Sequence, residues 1–333
     1  MTTAPPVLAI PGITPGLSAR LQGDLGRVDD LITATIDHDD PLIAEASGHL
    51  AEAGGKRFRP LLTLLAAELG HGVTDDVVAA AAGVELIHLA SLYHDDVMDE
   101  ADVRRGVPSA NAKYNNSTAI LIGDLLFGRA SELVAGLGAE AVRIQAQAFI
   151  RLCAGQIRDD RPCPPGTDPI GYYLSVLEDK TGALISTAAR YGAMFGGCSP
   201  EVVTLMTGYG QQLGMAFQLA DDLIDIASDA VETGKTPGTD LREGVDTLAV
   251  LYAKAGTDPA HARLRELLSG DLRDDRRHAE ALALLRADPA LEQARETTRQ
   301  VGRDAVDLLG PLPESEAKAA LTALVTSVVD RVG

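Results

Sequence analysis

The stretch His94-Asp95-Asp96-Val97-Met98-Asp99-Glu100 closes a long apolar run that starts at Val77. From Val77 to Tyr93 only Glu85 and His88 interrupt the apolar character, so the run reads as a helix buried on nearly all sides, not as a transmembrane span. Residues four apart on a helix share a face. Asp95 and Asp99 should therefore point the same way, with Asp96 beside them. Such a cluster repels itself unless a positive charge sits on it. Hard divalent cations take oxygen ligands, and Mg2+ held between a few carboxylates and a substrate's phosphates is the common arrangement.

One D-D-x-x-D pattern proves little, because a chain with 31 aspartates should contain it about 0.3 times by composition alone. Here two of the seven Asp-Asp pairs complete it. The second is Asp221-Asp222-Leu223-Ile224-Asp225, again closing an apolar helical run, Gly214 to Ala220. Two carboxylate-ended helices facing each other across a cavity could hold several metal ions and a diphosphate.

Composition narrows the rest. A net charge of −19 argues against a nucleic-acid partner. Hydrophobic content of 46% supports a sizeable core, and an Ala- and Leu-rich chain without Trp favours helix. Cys153, Cys163 and Cys198 are an odd number without metal-ligand spacing, which suits reduced thiols in the cytoplasm. No basic segment followed by an apolar one opens the chain, so no signal peptide is expected.

Residues 1–16 carry four prolines and few charges and are expected to form a loose tail, with a single helical domain over 17–333. Five helix starts are marked by a capping residue before proline: Asp40-Pro41, Asp168-Pro169, Ser199-Pro200, Asp258-Pro259 and Asp288-Pro289. There is no alternating strand pattern and no Asn-Gly or Asp-Gly hairpin. The expectation is an all-α bundle of about twelve helices around a central cavity. The Pro-rich segment 161–168 reads as a surface connection, and the Gly- and Thr-rich segment 229–244 as a mobile lid.

Basic residues discriminate between the readings. Of six lysines, Lys56, Lys180 and Lys235 lie in short polar breaks of apolar sequence. Lys56 and Arg59 share a face at a helix start, a natural anion site, against the plainer alternative of a solvated turn. Arg104 and Arg105 follow the first acidic motif, and arginine forks suit phosphate oxygens. Lys180 interrupts an apolar helix, which is costly unless it meets an anion. His88 lies two turns before Asp95 on the same face. Most such histidines are satisfied core residues, but this alignment with the acids favours a functional one. Gln218 precedes Asp221 by three and faces the same cavity.

The segments GGKRFRP (54–60), HDDVMDEADVRRG (94–106), GDLLF (123–127), DKTG (179–182), GMAFQLADDLIDI (214–226) and GKTPGTDLREG (234–244) resemble, in order and spacing, the all-trans isoprenyl diphosphate synthases, or polyprenyl synthetases. The resemblance runs from about Gly54 to Leu251, and the paired acidic motifs with GGKxxRP and RRG are specific to that family. It implies an isoprenoid-synthase fold and a homodimer. It also implies a prenyl transfer in which three Mg2+ ions bridge both acidic motifs to an allylic diphosphate. On that resemblance Asp95, Asp96 and Asp99 would hold two ions, and Asp221, with Asp222 and Asp225 near, the third. Arg104, Lys180 and Lys235 would bind the allylic diphosphate. Lys56, Arg59, His88 and Arg105 would bind isopentenyl diphosphate, and Thr181 and Gln218 would flank the allylic carbon. Many relatives have lysine where this chain has Val245 and proline where it has Ala249, which puts one lid-side contact in question.

One helical turn, about 5.4 Å, matches one isoprene unit, so side chains a turn before Asp95 should gate product length. Ala90 and Ser91 are small there, with Ile87 a turn further on, and a product longer than fifteen carbons is expected, geranylgeranyl diphosphate being the runner-up. A terpene cyclase would not need a second diphosphate site, which GGKRFRP and Arg105 imply. A non-catalytic subunit would be expected to lose an acidic motif, and a purely structural bundle would leave the lysines unexplained.

Overall fold

The computed structural model describes residues 10–227 and 237–332. Helix α4 (Asp75–Met98) is its axis. Thr74 caps it by accepting from the Val77 N–H. Between Val77 and Tyr93 every residue except Ala79, His88 and Leu92 is buried. Among the described residues it is the one helix long and apolar enough to cross a membrane, and 78% of its apolar window is buried inside the bundle. It is a core helix, as its unbroken apolarity requires.

Four long helices pack directly on α4, α1 (Pro15–Ile36), α3 (Phe58–Ala67), α6 (Asn116–Ala135) and α9 (Ala183–Phe195), together with the short helix Ala110–Tyr114. Helix α10 (Pro200–Ala227) lies against α9 on one side and against the helix Pro289–Leu308 on the other. The Tyr209 hydroxyl on α10 donates to the Leu321 carbonyl at 2.8 Å, tying in the helix Glu316–Val329. The C-terminal third, which carries no motif, thus forms the wall behind the second acidic helix.

All five Asp-Pro or Ser-Pro signals start helical structure: α2 (Pro41–Glu52), α8 (Pro169–Leu177), α10, the helix Pro289–Leu308, and a 3₁₀ turn at Pro259–His261. In α2 and α8 the aspartate accepts two backbone N–H groups, which is why the pattern is a good start signal. A sixth case, Thr14-Pro15, starts α1 two residues before the expected boundary. Ile10 is also buried, so residues 10–16 are not the loose tail expected there, and residues 1–9 of that segment lie outside the described residues. Twelve described helices have nine residues or more, in line with the expected number.

Two local features were not expected. Val103–Arg104 and Val107–Pro108 form a two-residue antiparallel ladder around Arg105-Gly106. Both turn residues have positive φ, 54° and 78°, the geometry of a tight hairpin usually written Asn-Gly. Residues Glu178–Gly182 form a π-helical segment between α8 and α9, where an uninterrupted helix was expected. A Cβ on Gly155 of α7 (Ala139–Asp159) would lie 2.5 Å from the Lys180 nitrogen, and one on Gly214 of α10 would lie 2.8 Å from the Gly182 Cα. The widened turn is clamped between two helices that approach its backbone through glycine.

Candidate active site

At the C-terminal end of α4 the three acids of the first motif separate into two kinds. Asp96 is fully buried. One oxygen accepts from Arg104 Nε at 2.6 Å and the other from the Ala110 N–H at 3.1 Å. Asp99 is the helix C-cap and 59% exposed, with Arg104 Nη2 at 3.6 Å. Asp95 faces inward and is half-buried. Burial raises its carboxyl to about 6, with Asp99 adding to the rise and Lys180 and Arg104 opposing it. A carboxylate so raised is short of positive charge, which is the condition a cation would relieve.

The second motif divides in the same way. Asp221 is 40% exposed and lies 3.0 Å from Arg331 Nη2, on the C-terminal 3₁₀ turn Asp330–Val332. Asp222 is buried, accepting from the Tyr173 hydroxyl and from Gln218 Nε2 at 2.9 Å. Burial raises its carboxyl to about 6 against both hydrogen bonds, which lower it. Asp225 accepts from the N–H groups of Thr239 (3.2 Å) and Asp240 (3.1 Å), capping the helix Thr239–Glu243. The six aspartates expected as ligands thus have different surroundings. Asp95, Asp99 and Asp221 are at least partly exposed, Asp221 with Arg331 against it, whereas Asp96, Asp222 and Asp225 accept hydrogen bonds from protein donors. Burial and turn chemistry, which spacing does not encode, separate them.

The π-helical segment links the motifs. Lys180 Nζ pairs with Asp159 Oδ2 at 2.6 Å. Burial lowers its proton affinity, but Asp159, Asp95 and Asp99 together leave it raised. The next residue, Thr181, donates its hydroxyl to Gln218 Oε1 at 3.1 Å. Thr181 thus reaches the second acidic helix, and the anion that Lys180 requires is Asp159 on α7, part of an Asp-Asp pair that completes no motif. Lys235 lies outside the described residues.

The GGK and RRG segments come together as expected. Arg105 Nη1 donates to the carbonyls of Leu50 (2.7 Å) and Gly54. Its guanidinium packs on Gly55, where a Cβ would lie 2.9 Å from Cζ. Arg59 carries a buried Nε with no partner, and burial lowers its proton affinity. Burial drives His88 well below its usual value, with Arg59, Arg105, Arg57 and Arg104 adding to the effect, so it is a neutral imidazole among cations. Lys56 is exposed at the rim. An unpartnered buried guanidinium nitrogen in a cationic cluster is a place prepared for an anion.

Arg57 completes this region and was not singled out from the sequence. Held at φ 47°, it donates to Asp29 (2.7 Å), Glu85 (3.0 Å) and the Ala51 carbonyl (3.1 Å). It is the ion-pair partner of the buried Glu85. Of the proposed length-determining residues, Ala90 and Ile87 are buried, and Ser91 turns its hydroxyl back to the His88 carbonyl at 2.9 Å. Val245 is 41% exposed and Ala249 is buried. Cys153, Cys163 and Cys198 are unpaired. No three His, Cys, Asp or Glu among the described residues form a metal cluster.

Comparison with known proteins agrees with this geometry. A family model described as polyprenyl synthetase matches residues 40–285. A nonaprenyl diphosphate synthase of Mycobacterium tuberculosis is 46% identical, covering 98% of this chain and 99% of its own. The crystal structure of geranylgeranyl pyrophosphate synthase from Corynebacterium glutamicum, complexed with calcium and isoprenyl diphosphate, superposes with a TM-score of 0.87 at 43% identity. The match covers 96% of this chain and 98% of that one. A decaprenyl diphosphate synthase from Rhodobacter capsulatus gives a TM-score of 0.85 at 35% identity, covering 96% and 99%.

Proposed function

The chain belongs to the polyprenyl synthetase family and is a prenyltransferase, and from that premise we propose that it joins isopentenyl diphosphate to an allylic diphosphate to give a product longer than fifteen carbons. One observation carries the reading. Lys180 and Thr181 are consecutive: the Lys180 ammonium, paired with Asp159, also feels the charges of Asp95 and Asp99, while Thr181 is bonded to Gln218, three residues before Asp221. Both acidic helices therefore address one space.

In that space Asp95, Asp99 and Asp221 would hold Mg2+, three ions in all on the family pattern. Held there, the metal would supply positive charge for the departing diphosphate. Arg104 is fixed by Asp96 so that its remaining N–H groups can meet the same anion, and Lys180 adds a second cation. Arg59, Arg105, His88 and Lys56 receive the diphosphate of isopentenyl diphosphate. The oxygens of Thr181 and Gln218 lie against the allylic carbon, where positive charge grows as the C–O bond breaks. The isopentenyl double bond then attacks that carbon, and a proton leaves to the released diphosphate. The lid expected over 229–244, of which 229–236 with Lys235 lie outside the described residues, is proposed to exclude water.

The small residues Ala90 and Ser91 support a long product, as does the likeness to nonaprenyl and decaprenyl synthases. The Corynebacterium structure favours a second reading, a geranylgeranyl diphosphate synthase. We also propose a homodimer. Five exposed apolar side chains, Ile120, Leu121, Val142, Ile150 and Ile157, gather on α6 and α7, and a second copy would cover them.

The test is product analysis of purified protein with Mg2+, isopentenyl diphosphate and a panel of allylic primers. Chains beyond fifteen carbons are expected. Cyclic or hydrolysed product without need of isopentenyl diphosphate would instead indicate a cyclase, and a product stopping at twenty carbons the second reading.

A further inference from the structure

Tyr173, Asp222, Gln218 and Thr181 form a continuous hydrogen-bonded line from the protein interior to the proposed reaction space. The Tyr173 hydroxyl donates to Asp222 Oδ2, Gln218 Nε2 donates to Asp222 Oδ1 at 2.9 Å, and Thr181 Oγ1 donates to Gln218 Oε1 at 3.1 Å. Every donor in the line points toward Asp222. Tyr173 and Asp222 are both buried, whereas Gln218 is half-buried at the inner face of α10.

An amide has two possible orientations, and nothing intrinsic to glutamine chooses between them. Asp222 chooses here. A carboxylate with two charge-assisted donors accepts only the NH2 side of Gln218, which sends the carbonyl oxygen toward Thr181. The negative charge also polarises the amide, and hydrogen bonds in series polarise one another. We propose that Tyr173 and Asp222 are positioning residues for prenyl transfer: Tyr173 holds Asp222 inside α10, and Asp222 orients and polarises the Gln218 and Thr181 oxygens that face the developing allylic cation. Asp222 would then favour the cation through two oxygens without touching substrate or metal.

This inference rests on the prenyl-transfer reading, and the experiment separates the two. Steady-state rates with isopentenyl diphosphate, an allylic primer and Mg2+ are measured for the wild type, Tyr173→Phe, Asp222→Asn, Gln218→Ala and the Tyr173→Phe/Gln218→Ala double variant. If the wild type forms no prenyl chain, the functional reading fails. If it does, Tyr173→Phe should lower kcat about ten- to a hundredfold, the loss expected when a reacting group is misplaced by about 1 Å. Both KM values and the half-saturating Mg2+ concentration should stay within about twofold, since no diphosphate or metal contact is touched. Asp222→Asn keeps the shape but presents an NH2 group, which competes with the preferred amide orientation, and should show the same split.

The double variant is decisive. A residue that acts only through Gln218 adds no loss once Gln218 is gone, so Tyr173→Phe should leave kcat of Gln218→Ala unchanged. Multiplied losses would overturn the proposal, as would a kcat for folded Tyr173→Phe within twofold of wild type. If Tyr173→Phe does not fold, Asp222→Asn alone decides. An unchanged kcat refutes the line, and a shift confined to Mg2+ dependence refutes it by making Asp222 a metal ligand.

Discussion

Replacing Asp95 by Asn should stabilise the metal-free protein while removing its activity. The Asp95 carboxyl stands at about 6 in the folded chain against 3.8 ordinarily, mainly through burial. Between those pH values the folded state keeps a proton that the unfolded state has lost, so stability falls as pH rises through this window. The penalty is complete above pH 6 and absent below about pH 4. A shift of about two units corresponds to about 3 kcal/mol. Partial solvent screening at this half-buried position reduces it to about 1–2 kcal/mol. For a chain of this length the unfolding entropy is roughly 0.7 kcal/mol per kelvin, so Asp95→Asn should raise Tm at pH 7 by about 1.5–3 °C. Scanning calorimetry without divalent metal should show that gain at pH 7 and none at pH 4. Loss of an open metal ligand should cost about a hundredfold or more in kcat. An unchanged or lowered Tm at pH 7, or an equal gain at both pH values, would refute the electrostatic account of this site.

Three further outcomes follow from named contacts. Arg331 occupies Asp221, so Arg331→Ala should lower the half-saturating Mg2+ concentration by about two- to fivefold, the worth of a partly exposed ion pair; a raised value would assign Arg331 to substrate binding. Gly155→Ala would press a methyl group into the backbone of Lys180, costing about 1–3 kcal/mol in urea unfolding and lowering kcat; an unchanged urea midpoint would show that α7 does not clamp the widened turn. Ser91 shares the Asp95 face, so Ser91→Phe should shorten the product by chromatography of radiolabelled chains, and an unchanged length would remove that position from the tunnel.

The helical architecture was legible because its signals are local. Proline after a capping residue, the apolar run of α4 and the absence of strand alternation each act within a few residues. The meeting of GGK with RRG was legible only through family likeness, as no periodicity connects Gly55 to Arg105. The division of each acidic motif was not legible at all. Whether Asp96 lies open depends on Arg104, eight residues later on the first strand of the hairpin, and Asp222 depends on Tyr173, 49 residues earlier. Tyr173 did leave a trace, lying two helical turns before Lys180 in a segment read only as apolar. The hairpin was missed because Arg-Gly rarely makes such a turn. Arg105 tolerates its left-handed backbone because two carbonyls and Gly55 hold its side chain.

That turn also makes the two arginines unequal neighbours. Arg104 reaches Asp96 and Asp99, while Arg105 reaches Leu50 and Gly54, so adjacent residues serve opposite sides of one peptide unit. The separation of the two proposed anion sites is then a property of the main chain, set by the span between neighbouring Cα atoms. Thermodynamic linkage makes any such connection reciprocal. If an anion held by Arg104 draws on the turn, it changes the affinity for one held by Arg105 by the same factor that the second changes the first. A short strained loop would in that way act as a caliper, sensing whether both jaws are filled.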